Sequence, residues 1–197
     1  MQHNEPVSVV FVTGGLGSGK STFTKIAAKL GAQVLDADKV VADLYRDDKE
    51  MVSALVEILG PDILDTDGLV DKKKVAAKIF SNSNLLHEVE SIIHPRVRKV
   101  LEETAKHCDL LFYEIPIINA STNLDVADYV VVIDAPETLR VQRAIDRGMT
   151  KEDALARISQ QAKNSFIPAK AIQIENDGNL EELEKNAMEF LNMVKYD

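Results

Sequence analysis

The nine residues "GGLGSGKST" at 14–22 constrain this chain more than any other stretch, because the pattern they form works only where a strand hands over to a helix. Gly14, Gly19, Lys20 and Ser21 satisfy G-x-x-x-x-G-K-[ST], the signature of a phosphate-binding loop, or P-loop. Both flanks have the required character. "VSVVFVTG" at 7–14 is a β-branched run that reads as a first strand, and "KSTFTKIAAKL" reads as a helix that stops at Gly31. The glycines let the N–H groups of Gly15, Leu16, Gly17, Ser18 and Gly19 converge on phosphate oxygens without Cβ clashes, and the helix start adds its positive end. Lys20 then reaches the β- and γ-phosphates, Ser21 offers a hydroxyl to Mg²⁺, and Thr22 lies within reach of the α-phosphate. Nucleotide binding is therefore the first expectation.

A P-loop calls for a parallel sheet, and the chain supplies one. Further apolar runs at 32–37, 109–116, 129–136 and 171–176 alternate with helical patterns, which predicts five parallel strands with helices on both faces. Pro95 is expected in the first turn of "PRVRKVLEETAKH", Thr150 with Asp153 forms a capping-box pattern opening "KEDALARISQQ", and "LEELEKNAMEFLNMVK" carries an apolar stripe for the sheet. The stretch between the second and third strands is far longer than a simple crossover and rich in helical periodicity. The predicted fold is a three-layer α/β/α P-loop NTPase: a core of about 1–38, 108–136 and 171–197, an inserted helical subdomain of about 39–107, and a further helical segment of about 137–170.

Composition excludes several classes. A net charge of -9 repels a nucleic-acid backbone, and no stretch approaches the roughly 20 apolar residues that span a bilayer. The start "MQHNEPVSVVFVTGG" lacks a basic segment and a cleavage site, and the single cysteine, Cys108, excludes an internal disulfide. The expected protein is cytoplasmic, binds neither nucleic acid nor membrane, and is a monomer or weak homo-oligomer.

The destination of the phosphate is narrowed by "LDAD", which puts Asp36 and Asp38 at the carboxyl end of the second strand, the ligand-binding edge of open α/β sheets. An alcohol acceptor gains from a carboxylate that orients it and takes its proton. A phosphate acceptor needs arginines instead, and the stretch 36–48 holds five aspartates with only Lys39 and Arg46 as basic residues. Both aspartates also suit a strand-end turn or a helix cap. Lacking "NKxD", the chain does not read as a GTPase switch, and a kinase for another alcohol, such as a nucleoside or sugar acid, stays open.

Taken in order, "TGGLGSGKST", "LDAD", "IIHPRVRK" and "RAIDRGMTKEDALARISQQ" resemble the dephospho-CoA kinase family through nearly the whole chain. The resemblance implies ATP as donor, Mg²⁺ as its ion, the ribose 3′-hydroxyl of dephospho-CoA as acceptor, and Asp38 as catalytic base beside Asp36. It also implies that the insertion binds the acceptor, that His94 and Pro116 lie on the acceptor side, and that Asn176 in "IENDG" lies on the adenine side. His94 fits a structural histidine equally well, and Asn176 a turn former.

The resemblance also implies that the helices of about 137–170 form a lid. Its arginines fall on two consecutive helices, Arg140, Arg143 and Arg147 spaced along one side of the first and Arg157 on the second, with Arg143 and Arg147 expected on the transferring phosphoryl group. "RVQRAIDR" also satisfies a solvated amphipathic helix. This chain departs from the family pattern in having Glu114 for an aspartate, Asn119 and Ala120 for an aromatic and an acid, and Lys72, Lys73 and Lys74 where an arginine is usual. With Arg96 and Arg98, those lysines are the basic candidates for the acceptor's pyrophosphate, and Lys170 is the one residue retained from the segment after Gln161.

Overall fold

The strand that feeds the loop, β1 (Ser8–Thr13), is buried almost throughout and lies at the centre of the sheet. The computed structural model describes residues 7–80, 82–119 and 122–196, so the reading of the first six residues and the departure at Ala120 lie outside the described residues. β2 (Gln33–Asp36), β3 (Leu110–Glu114), β4 (Tyr129–Asp134) and β5 (Ile172–Glu175) complete a five-stranded sheet in the order β2-β3-β1-β4-β5, every pairing parallel. The sequence placed all five.

Side-chain alternation on these strands feeds two faces. Val10, Val12, Phe112, Val131 and Ile133 point to one side, where they meet Phe23, Ile26 and Ala27 of α1 (Lys20–Lys29) and Leu183, Ala187, Phe190 and Val194 of α8 (Leu180–Tyr196). Phe23 lies tilted against both Phe112 and Phe190, with centroids 6.1 and 6.2 Å away. Val9, Phe11, Leu111 and Tyr113 point the other way and are buried as well, as a sheet covered on both faces requires. Helix α1 ends as expected at Gly31, beyond which the Ala32 N–H returns to the Ala27 carbonyl.

After β4 the chain forms α6 (Glu137–Asp146) and α7 (Lys151–Asn164). Thr150 caps α7 by accepting from the Asp153 N–H at 3.1 Å. The two helices close on each other through Val141, Ala144, Ala154 and Ile158, and Leu16 of the loop packs into that small cluster.

Residues Ala37–Thr104 form a compact unit of their own, distinct from the unit that holds the sheet. It contains α2 (Ala37–Asp47), α3 (Lys49–Leu59), a 3-10 turn at Pro61–Ile63, α4 (Lys72–Ile79) and most of α5 (Ser83–Ala105). Its centre is Tyr45, Met51, Leu55, Leu59, Ile63, Val75 and Val89.

One expectation here is corrected. Pro95 does not open a helix: α5 starts at Ser83 and runs through it. Apolar anchors on both sides, Val89 before the proline and Leu101 after it, are buried, and that burial outweighs the lost N–H. His94 consequently sits exposed in mid-helix, neither at a helix start nor in a buried structural site.

Phe23→Ala should cost about 3–5 kcal/mol, the usual range for emptying a buried phenylalanine site. Urea denaturation followed by circular dichroism measures it, and a cost below about 1 kcal/mol would contradict the packing described.

Candidate active site

The loop between β1 and α1 takes its shape from what lies behind it. Gly17 and Gly19 have φ of 75° and 99°, the left-handed region that glycine enters freely. Space restricts them too. A Cβ on Gly15 would collide with the Arg140 guanidinium, one on Gly17 with the Arg140 backbone, and one on Gly19 with the Asn176 side-chain amide. Ser18 is fully buried, and its Oγ has no partner among the described residues.

Behind the loop, carbonyls are matched with donors from α6 and the end of β5. Arg140 Nε donates to the Leu16 carbonyl at 2.9 Å, and Arg143 Nη1 to the Gly17 carbonyl at 3.2 Å. Asn176 Nδ2 donates to the Ser18 carbonyl at 2.7 Å, and Arg143 Nη2 to the Asn176 carbonyl at 3.1 Å. Burial, followed by the nearby positive charge of Arg147, lowers the Arg143 guanidinium from its ordinary value. Leu16 also uses its N–H, which donates to Gln161 Oε1 at 2.7 Å. With the carbonyls held from behind, the loop keeps the concave face that its pattern requires for an anion.

In front of the loop stands Glu114, the last residue of β3 and buried. Its Oε1 accepts from Lys20 Nζ at 2.8 Å and from Ser21 Oγ at 2.6 Å, and its Oε2 from Thr24 Oγ1 at 2.7 Å. Burial is the largest influence on this carboxyl and raises it. Hydrogen bonds from Lys20, Ser21 and Thr24, with the Lys20 charge, outweigh burial and hold it below its ordinary value. Glu114 appeared in the sequence only as a departure from a pattern, although an acid ending the apolar run "DLLFYE" was signal enough to mark it. Nothing in the sequence marked Thr24, whose hydroxyl is spent on an acid ninety residues away.

Two cavities border the loop. The smaller, about 150 Å³, is lined by Gly14 to Gly17, Lys20, Ser21, Pro116, Arg147 and Gln161. The larger, about 310 Å³, lies beside Gly19 and Thr22 and is bounded by Arg147, Asn176 and Leu180. Arg147 borders both and makes no side-chain hydrogen bond or ion pair among the described residues, whereas Arg140 and Arg143 are committed to loop carbonyls. Arg157 and Lys170 are exposed and line neither cavity.

Of the aspartate pair, Asp36 ends β2 and Asp38 falls in the first turn of α2, both exposed. Lys72, the first residue of α4, donates from Nζ to Asp38 Oδ1 at 2.6 Å. The other basic candidates of this unit are largely engaged: Lys74 with the Leu64 carbonyl, Arg96 with Asp48 and Arg98 with Glu102. Among the described residues no three His, Cys, Asp or Glu side chains cluster as a metal cage, and no helix is long and apolar enough to cross a membrane.

Comparison with known proteins places the chain in a family. A family model described as dephospho-CoA kinase matches residues 8–182. The dephospho-CoA kinase of Chlorobaculum tepidum is 34% identical over 186 residues, covering 89% of each chain. The crystal structure of TT1252 from Thermus thermophilus superposes with a TM-score of 0.78 at 28% identity, covering 96% of this chain and 98% of that one. Dephospho-CoA kinase from Campylobacter jejuni shares the fold, with a TM-score of 0.62 at 24% identity, covering 94% and 96%.

Removing the Thr24 hydroxyl while keeping its shape leaves one oxygen of a buried carboxylate without its donor. Thr24→Val should therefore cost about 1–3 kcal/mol, with Thr24→Ser recovering most of it, both read by urea denaturation. The pH dependence has a definite sign. A carboxyl whose folded value lies below its unfolded one gives its full stabilisation above the unfolded value, and loses it as pH falls through the folded value. Below about pH 5 the wild type should thus lose stability more steeply than Glu114→Gln, and parallel acid-denaturation curves for the two would contradict the assignment.

Proposed function

This chain belongs to the dephospho-CoA kinase family, and on that premise we propose how its own residues carry out the transfer. The reaction is the ATP-dependent phosphorylation of dephospho-CoA at its ribose 3′-hydroxyl, the last step in making coenzyme A. The observation that carries the assignment of roles is the convergence of Lys20, Ser21 and Glu114 in front of a loop whose carbonyls are held from behind.

ATP binds with its phosphates in the smaller cavity, against the N–H groups of residues 15–19 and the start of α1. Its base lies in the larger cavity beside Asn176 and Leu180, with Thr22 toward the α-phosphate. Ser21 and Glu114 fit Mg²⁺: a hydroxyl and a carboxylate oxygen 2.6 Å apart are hard donors, and Mg²⁺ is ordinarily held by one or two carboxylates plus substrate phosphates. Held by these two residues, the ion would supply positive charge that offsets the charge of the phosphates.

With nucleotide present, Lys20 leaves Glu114 for the β- and γ-phosphates, where its charge offsets what develops on the moving group. Arg147, which makes no side-chain bond among the described residues, adds the second positive charge, and Arg140 and Arg143 serve chiefly to hold the loop. The acceptor's 3′-oxygen forms a bond to the γ-phosphorus as the bond from that phosphorus to the β–γ bridging oxygen breaks. The hydroxyl proton passes to the Asp38 carboxylate. The ion pair with Lys72 does not stand in the way, because an exposed pair of that kind is worth only ~0–1 kcal/mol and exchanges readily. Asp36, Pro116 and the unit Ala37–Thr104 serve the acceptor, α6 and α7 act as lid, and the setting is a cytoplasmic monomer or weak homo-oligomer.

Asp38→Asn should lower single-turnover transfer to dephospho-CoA by about 10²–10⁴ while ATP affinity stays near wild type. Unchanged transfer would remove Asp38 as base, and turnover of adenosine monophosphate or gluconate in preference to dephospho-CoA would overturn the acceptor. Arg147→Lys should lower kcat more than it weakens ATP binding, since the planar fork is lost while the charge remains. A change confined to the ATP KM would assign Arg147 to ground-state binding.

A further inference from the structure

Gln161, near the end of α7, reaches the loop with a half-buried side chain and lines the smaller cavity together with Lys20, Ser21 and Arg147. Its orientation is fixed by chemistry. The Leu16 N–H can donate only to an oxygen, so the 2.7 Å bond to Oε1 settles which way round the amide lies and leaves Nε2 as the other arm of the group. Nε2 has no partner among the described residues. A side-chain amide carries two donors on that nitrogen, and the cavity it borders is lined by the loop, the lysine and an arginine whose side chain has no partner among the described residues. A neighbourhood of this kind accepts anionic oxygen.

We propose that Gln161 is a phosphate-binding residue: its oxygen is held by the Leu16 N–H so that its amide nitrogen donates to a phosphate oxygen of the nucleotide. The bond to Leu16 gives the side chain a second duty, since Leu16 also packs its side chain into the α6–α7 cluster and gives its carbonyl to Arg140. Helix α7 thus touches the nucleotide through the same residue that fastens it to the loop. The proposal rests on the reading of the smaller cavity as the phosphate site.

Two substitutions separate the duties. Gln161→Glu keeps an oxygen for the Leu16 N–H but puts negative charge where the donor was. Gln161→Leu loses both bonds without adding charge. Calorimetric titration with ATP and with ADP should show Gln161→Leu weakened by about 10- to 100-fold, as expected for a hydrogen bond to a charged group together with the lost loop contact. Gln161→Glu should be weakened further, although its bond to Leu16 survives. Wild-type affinity in Gln161→Glu, or a smaller loss there than in Gln161→Leu, would overturn the proposal and leave Gln161 as a brace for the loop. Lys20→Ala measured alongside tests the underlying reading. If it binds ATP as tightly as wild type, the cavity is not the phosphate site and the proposal falls with it. If Lys20→Ala is weakened while Gln161→Glu is not, only the role of Gln161 fails.

Discussion

A carboxylate buried at the end of a β-strand is stable only if donors surround it, and much of this site follows from that requirement at Glu114. Three side chains of α1 supply the donors, Lys20 and Ser21 to one oxygen and Thr24 to the other. The bonds fix how α1 sits on β3, and therefore where the loop preceding α1 must lie. They also keep the loop's lysine and serine extended and pointed forward. Two of the three donors are those that a nucleotide and its ion would claim, so Thr24 is the donor that remains when the others are recruited.

The second constraint acts from behind. A loop that offers N–H groups to an anion leaves its carbonyls facing the other way, and these need partners of their own. Arg140, Arg143 and Asn176 provide them, from a helix and a strand end far along the chain. Arginine suits the task because its fork spans neighbouring carbonyls, as Arg143 does between Gly17 and Asn176. The same engagement leaves Arg147, one turn further on, as the cation with room to act.

What could be read from the sequence follows the range of the interactions involved. All five strands, the end of α1 at Gly31 and the Thr150 cap were legible, since each is written in neighbouring residues by alternation, a glycine or a capping pair. The P-loop was legible for the same reason. Pro95 misled because a local rule about proline was overruled by burial of Val89 and Leu101 in one continuous helix. Arg140, Arg143, Arg147 and Arg157 looked alike at helical spacing, and only the position of the loop carbonyls distinguishes them. Thr24 and Gln161 left no trace, because each is defined by a partner ninety or more residues away.

The collisions that a side chain at Gly15 or Gly17 would meet have a consequence for protein engineering. The obstruction is Arg140, a residue of another element, so the loop's glycines are complementary to α6 as well as to phosphate. The familiar nine-residue signature is therefore not a self-contained cassette. Grafted into a scaffold without an arginine at the corresponding place on its lid, it would keep its sequence and lose the mould that gives it shape, whereas transplanting the loop together with α6 would carry both halves of the fit.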